Sequence, residues 1–156
     1  MVEPDLYKTV VNSISAHVAV LDEHGVIIET NRAWQEFAVQ NGMLQFVDGV
    51  GINYLNVCAG ATGEHERDGN NVAEGIRKVL SGELPEFLTH YPCHSPDERR
   101  WYVVRVVPFR GKDARKVIVT HENITQIMEI QEALEKKDAE LSRERERLEE
   151  TNIALR

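Results

Sequence analysis

From Gln126 to Arg156 the chain runs without a glycine or a proline, and through that stretch Ile127, Leu134, Leu141, Leu148 and Leu155 recur every seventh residue. A seven-residue apolar repeat winds helices into a left-handed coiled coil, because it keeps one seam facing a partner. A helix this long and uninterrupted exists to pair or to connect. With the leucines at position d, position a holds Gln131, Asp138, Arg145 and Asn152; the other register offers Ile130, Lys137, Glu144 and Thr151. Half of the seam is polar either way, which lowers stability while specifying register, so the expectation is an adjustable parallel homodimer. A solvated single helix with pairs such as Glu132 to Lys136 is the simpler alternative. No capping signal closes the helix at Leu155-Arg156, so it reads as cut from a longer chain.

The 156 residues suit one domain plus this helix, since domains cluster around 100–150 residues. A formal net charge of -8, with basic residues interspersed among acids, argues against nucleic acid or an anionic membrane surface as partner. Cys58 and Cys93 suggest neither a disulfide framework nor a zinc knuckle, and read as reduced thiols. No signal peptide and no stretch of ~18 apolar residues is evident, so the expectation is a cytoplasmic protein with no membrane insertion. A Gly-rich phosphate loop, a Gly-x-Ser-x-Gly elbow, a His-Glu-x-x-His pair and a His-Glu-x-x-x-Pro phosphoacceptor box are all missing, which argues against an enzyme. Glu64, His65, Glu66 and Asp68 lie in a polar run and read as solvated.

Pro4 with Leu6, Val10, Val11 and Ile14 marks a short amphipathic N-terminal helix. Residues 18–21 and 26–30 read as a hairpin around Asp22-Glu23-His24-Gly25. Asn31 caps a helix carrying Trp34, Phe37 and Ala38, which stops at Asn41-Gly42. A short apolar element surrounds Tyr54, Leu55, Val57 and Cys58. Gly63 to Asn70 reads as a loop, and Val72, Ile76, Val79 and Leu80 define a helix closed by Ser81-Gly82. Three strands follow, over 87–91, 101–109 and 116–121. In the middle one Tyr102, Val104 and Val106 face one way and Trp101, Val103, Arg105 and Val107 the other. Both faces are largely apolar, so the outer one needs a cover: a flanking helix or a second subunit.

Certain segments in this order resemble the PAS family of sensory modules, especially those of bacterial sensor kinases and diguanylate cyclases. They are Val18 to Gly25 with Asn31-Arg32-Ala33-Trp34, Tyr91 to Pro96 with Arg100-Trp101-Tyr102, and Glu122-Asn123-Ile124-Thr125 before the helix. The resemblance covers Leu6 to Thr125. It implies an α+β fold with a five-stranded antiparallel sheet in spatial order 2-1-5-4-3 and helices on one face over a cavity. Residues 1–15 would be an N-terminal flanking helix, 16–125 the sensory domain and 126–156 a signalling helix. The function implied is that of a module in a two-component or related signal-transduction system. It would sense a small molecule or a partner and pass the change to a linked output domain, a histidine kinase or a diguanylate cyclase. The cavity candidates are Ile28, Trp34, Phe37, Tyr54, Val57, Cys58, Ile76, Val79, Leu80, Phe87, Tyr91, Tyr102, Val104, Val119 and His121. Asn123, Ile124 and Thr125 would transfer the signal. Asn123 stands where the family usually carries the Asp of Asp-x-Thr; it loses an ion pair, yet it can cap the helix, with Gln126 placed to answer it.

The cofactor is left open. Flavin-binding relatives place a reactive Cys in Asn-Cys-Arg-Phe-Leu-Gln, whereas residues 52–58 read Ile-Asn-Tyr-Leu-Asn-Val-Cys. His121 and Tyr102 also replace the flavin-contacting Gln and Asn of those relatives, which argues against a flavin. Haem-binding relatives often use a His on the helix before the last three strands, and 70–81 contains none. Cys93 and His94, near His90, could ligate iron or another metal, although a structural role at a turn is the simpler reading. His121 shares its face with Val117 and Val119. It is either a neutral core histidine bonded to a neighbour such as Tyr102, or a polar anchor for a small ligand. A ligand-free dimerisation or docking module and a haem or flavin sensor stand as alternatives to ligand sensing.

Overall fold

The computed structural model describes residues 4–40, 48–61, 63, 66–93, 97–109 and 115–155. Helix α1 (Pro4–Asn12) leads into strands β1 (His17–Leu21) and β2 (Ile27–Thr30). Helices α2 (Arg32–Gln40), α3 (Tyr54–Ala59) and α4 (Glu66–Ser81) come next. Strands β3 (Phe87–Pro92), β4 (Trp101–Phe109) and β5 (Lys116–Asn123) then give way to α5 (Thr125–Ala154). The strands form one antiparallel sheet in the order β2-β1-β5-β4-β3, as the family resemblance implies. Its inner face presents Ala19, Leu21, Val104, Val106, Val117 and Val119, all fully buried against Val72, Ala73, Ile76 and Val79 of α4. Period-2 alternation on the strands meets period-3.6 spacing on the helix, which makes one apolar layer between them. Gly75 lets α4 approach β3, since a Cβ there would collide with the ring of Phe87.

Helix α4 begins at Glu66, six residues before the first apolar residue of its stripe, so the polar run is helical from there rather than a loop throughout. Its first turns are polar because they face solvent, and Glu66 and Asp68 complement the positive end of the helix dipole. The expected stop at Asn41-Gly42 lies outside the described residues. Gly82, with φ of +81°, ends α4 as expected. The outer sheet face keeps Val18, Val20, Val103, Val107 and Ile118 only partly covered and leaves Leu88 exposed.

The first third of the fold is organised by Asn31, which has no exposed surface. Its Oδ1 accepts from the Val18 amide at 3.0 Å and from the Trp34 amide at 3.0 Å, joining β1 to the first turn of α2. Its Nδ2 donates to the carbonyls of Ala16 at 2.9 Å and Val11 at 3.2 Å, with that of Ile14 at 3.4 Å. The amide has two hydrogens, so the two shorter contacts hold the end of α1 and the turn into β1. Asn12 reciprocates by accepting from the Arg32 amide at 2.9 Å. The Asn31→Asp variant keeps the acceptor but turns the donor into a carboxylate oxygen facing carbonyls. Such a buried mismatch costs about 3 kcal/mol or more. Urea unfolding monitored by circular dichroism should show a correspondingly lower midpoint, while Arg32→Ala on the exposed side of the same turn should leave it nearly unchanged.

Candidate ligand cleft and helix joint

A cleft of about 230 Å³ opens between the inner sheet face and the α3–α4 pair. Tyr54, Val57, Cys58, Ala61, Asp68, Gly69, Val72, Tyr91, Cys93 and His121 line it. Backbone pairing sets the position of Tyr54. The Asp22 side chain closes the β1–β2 turn by accepting from His24 and Val26, and Gly25 takes a φ of +81°. The Gly25 carbonyl then receives the Tyr54 amide at 2.8 Å. Asn53 caps α3 by accepting from the Asn56 amide at 3.1 Å, so the helix starts with Tyr54 aimed inward. Gly69 allows α4 to lie against α3, since a Cβ there would collide with the Cys58 carbonyl oxygen.

His121 sits mid-sheet on β5, opposite His17 on one side and Val104 on the other. Its Nε2 lies 3.1 Å from the Tyr54 hydroxyl, and Trp34 stacks on its ring with centroids 5.4 Å apart and planes at 16°. Trp34 also meets Tyr54 edge-on at 5.5 Å. Burial, followed by the proximity of His17, pushes the His121 imidazole down to about 4, so it is neutral at ordinary pH. With a neutral ring, the Tyr54 hydroxyl can donate to Nε2 while the Cys58 thiol turns to the same hydroxyl. Burial holds the Cys58 thiol up at about 11 and keeps Tyr54 and Tyr91 protonated as well. A thiol held protonated is a weak nucleophile. Among the described residues no three of His, Cys, Asp and Glu converge as a metal site requires.

From His121 the chain reaches the joint within two residues. Asn123 Oδ1 accepts from the Thr125 amide at 3.0 Å and from its hydroxyl at 2.6 Å. The cap position is Ile124, which makes no side-chain cap bond, so Asn123 acts from one residue further upstream than a true cap. The Trp101 amide donates to Thr125 Oγ1 at 2.9 Å, and the Ile124 amide donates to the Trp101 carbonyl at 2.8 Å. Arg99 reaches Glu132 of α5 at 3.2 Å. Next to it, Arg100 is tied to Cys93 at the cleft: the Cys93 amide donates to the Arg100 carbonyl at 2.8 Å, and Arg100 Nε donates back at 3.2 Å. Residues 99–101 therefore touch both the cleft wall and the root of α5.

Of the residues singled out from sequence, Tyr54, Val57, Cys58, Tyr91, Cys93 and His121 meet in the cleft. Trp34, Leu80 and Phe87 pack around it, and Ile76, Val79, Val104 and Val119 are solid core. Phe37 and Tyr102 form an aromatic group with His17 beside the cleft rather than in its wall. Tyr102 is therefore not the partner of His121; Tyr54 is. Ile28 does not face the cleft. The register pairs Val20 with Glu29 and Leu21 with Ile27, leaving Ile28 as a bulged residue turned to solvent. His94 lies outside the described residues. The seam residues Ile127, Leu134, Leu141, Leu148 and Leu155 are all exposed on α5, none of whose residues is buried. Ala61, Asp68, Gly69 and Val72 were missed as lining residues; no local signal marks them, because only the α3–α4 contact brings them to the wall.

An antiparallel sheet in this order, with short helices over a small cleft and a helix leaving its last strand, defines an α+β module of known type. The chain has the PAS fold. No protein-family model matches the sequence. The PAS domain of BvgS from Bordetella pertussis superimposes with a TM-score of 0.56 at 13% identity, over 87% of this chain and 96% of that one. A phage VqmA, solved as a complex with DPO, gives 0.56 at 13% identity over 88% of this chain and 58% of that one. In sequence, an uncharacterised 104.1 kDa protein of Rhodobacter capsulatus is 38% identical over 122 residues, which is 77% of this chain. The match spans 13% of that protein's length. Among the described residues no helix is long and apolar enough to cross a membrane.

His121 gives the fold a defined pH dependence. Its folded-state value lies below the ~6.5 of an unfolded histidine, so as pH falls the unfolded chain takes up the proton first. The stability it contributes is complete above about pH 6.5 and is lost between there and pH 4, with His17 acting in the same direction. Between pH 7 and 5 the loss is about 2 kcal/mol. Chemical denaturation at the two pH values should register it, and His121→Gln, which cannot titrate, should remove most of the difference.

Proposed function

We propose that this chain is the sensory module of a longer signalling protein. It binds a small molecule in the Tyr54–His121 cleft and passes the resulting shift to an output domain through α5. The observation that carries this reading is connectivity: His121 forms part of the cleft wall and belongs to the strand that becomes the joint. A second route runs from Cys93 through residues 99–101 to Thr125 and Glu132. A ligand that favours one placement of this hairpin must bind it more tightly, by about 1.4 kcal/mol for each tenfold shift in population. The complex of VqmA with DPO supports a ligand in such a module. Native mass spectrometry and an absorption spectrum of the purified protein test the reading. A colourless protein that releases a small molecule on denaturation is expected, whereas a haem or flavin band, or an empty cleft in cell-purified protein, would overturn it. His121→Phe should lower occupancy at least tenfold while costing the fold about 1–2 kcal/mol for the unpaired Tyr54 hydroxyl. Unchanged occupancy would count against the site.

We further propose that α5 pairs with α5 of a second copy. Its leucine stripe is 60–64% exposed at Leu134, Leu141 and Leu148. At ~1.5 Å per residue the helix is roughly 45 Å long, too long an apolar stripe to leave in water. The polar positions Gln131, Asp138, Arg145 and Asn152 suit a pairing weak enough to change register with signal state. Light scattering should give the mass of two chains for the parent and of one for Leu134→Glu/Leu141→Glu; an unchanged mass in the variant would exclude this seam.

A further inference from the structure

The walls of the cleft select a ligand chemistry. Its volume of about 230 Å³ lies between an engineered cavity of ~150 Å³ that holds benzene and the roughly 300–1,000 Å³ of sites for drug-sized molecules. The occupant is therefore a substituted single ring or something of similar bulk. Among the described residues no lysine or arginine lines the wall; Arg77 and Arg100 act on Cys58 and Tyr102 from outside it. The carboxyl side chain among the described lining residues is Asp68, which has no ion-pair partner among the described residues. An anion entering here would lose hydration, find no cation, and meet a carboxylate.

The polar atoms of the wall fall into two sets. The Tyr54 hydroxyl and His121 Nε2 satisfy each other, and Cys58 is engaged with Tyr54. The other polar groups of the wall are the Tyr91 hydroxyl, held protonated chiefly by burial, and the Asp68 carboxylate; neither has a hydrogen bond or ion pair to a described residue. Val57, Ala61 and Val72 supply the apolar wall. A ligand's hydrogen-bond donor can therefore be met by the Asp68 carboxylate and the Tyr91 hydroxyl oxygen in an otherwise apolar space.

We propose that the cleft takes an uncharged, single-ring-sized apolar molecule carrying one hydrogen-bond donor, its body against Val57 and Val72 and its donor directed to Asp68 and Tyr91, and that it rejects anions. The inference rests on the reading of the cleft as a ligand site and adds its selectivity. Three matched probes test it in the full chain, each titrated and followed by amide chemical shifts: 4-methylphenol, 4-methylanisole, which lacks the donor, and 4-methylbenzoate, which is anionic. In the parent protein 4-methylphenol should bind at least tenfold more tightly than 4-methylanisole, with no saturable shift from 4-methylbenzoate. Asp68→Asn should narrow the phenol-to-anisole ratio and admit 4-methylbenzoate. Val57→Trp, made at a rim residue that is 40% exposed and thus tolerant of change, should fill the space and abolish binding of all three. Equal binding of the anion, a phenol-to-anisole ratio near one, indifference to Val57→Trp, or no saturable binding of any probe would each overturn the inference. An anionic molecule recovered from the purified protein would also overturn it, while leaving the ligand-sensing reading intact.

Discussion

Everything at the N-terminal side of this domain hangs on one buried amide. Asn31 replaces the water that four neighbouring backbone groups would otherwise need, with its oxygen on the Val18 and Trp34 amides and its nitrogen on the Ala16 and Val11 carbonyls. A buried primary amide can do this because it carries two donors and an acceptor with two lone pairs in one plane. The bond to the Trp34 amide has a consequence beyond capping. It sets where α2 begins, and with it where the Trp34 ring meets His121. A hydrogen-bond hub at the sheet edge thus fixes the aromatic wall above the sheet centre.

That wall explains how a titratable ring survives in the core. His121 is neutral, stacked on Trp34, and bonded to Tyr54, so burial costs it little at neutral pH. The same face continues to Tyr91 and Cys93, where the cleft comes within one hydrogen-bonded step of residues 99–101. A small change at the cleft therefore has a short, polar path to the root of a helix that packs against little else. The contrast between a packed core and an exposed helix suits the relay proposed for this chain.

Much of this was legible in the residues. The alternation in Trp101–Phe109 and the shared face of Val117, Val119 and His121 followed from period 2, and Gly82 ended α4 where a left-handed residue was needed. The failures were of other kinds. Ile28 was a cavity candidate by the family resemblance, and a bulge, which inserts one residue without any composition signal, turned it to solvent. Glu66 to Asn70 looked like a loop because the first turns of α4 are polar and carry no apolar period. Asn31 was readable as a cap, but its bonds to Val11, Ile14 and Ala16 span many residues of chain and leave no local trace.

Sequence alone determined the elements, their order, the inward set of the central strands and the exposed heptad of α5, because these depend on spacing within one segment. Tertiary structure decided which polar groups are satisfied by which. It gave Tyr54 rather than Tyr102 to His121, brought Gly69 of α4 against α3 to make a cleft, and put Tyr91 and Asp68 on its wall. Those choices rest on angles and distances between elements, set by packing volume and hydrogen-bond geometry, and no periodicity along the chain encodes them.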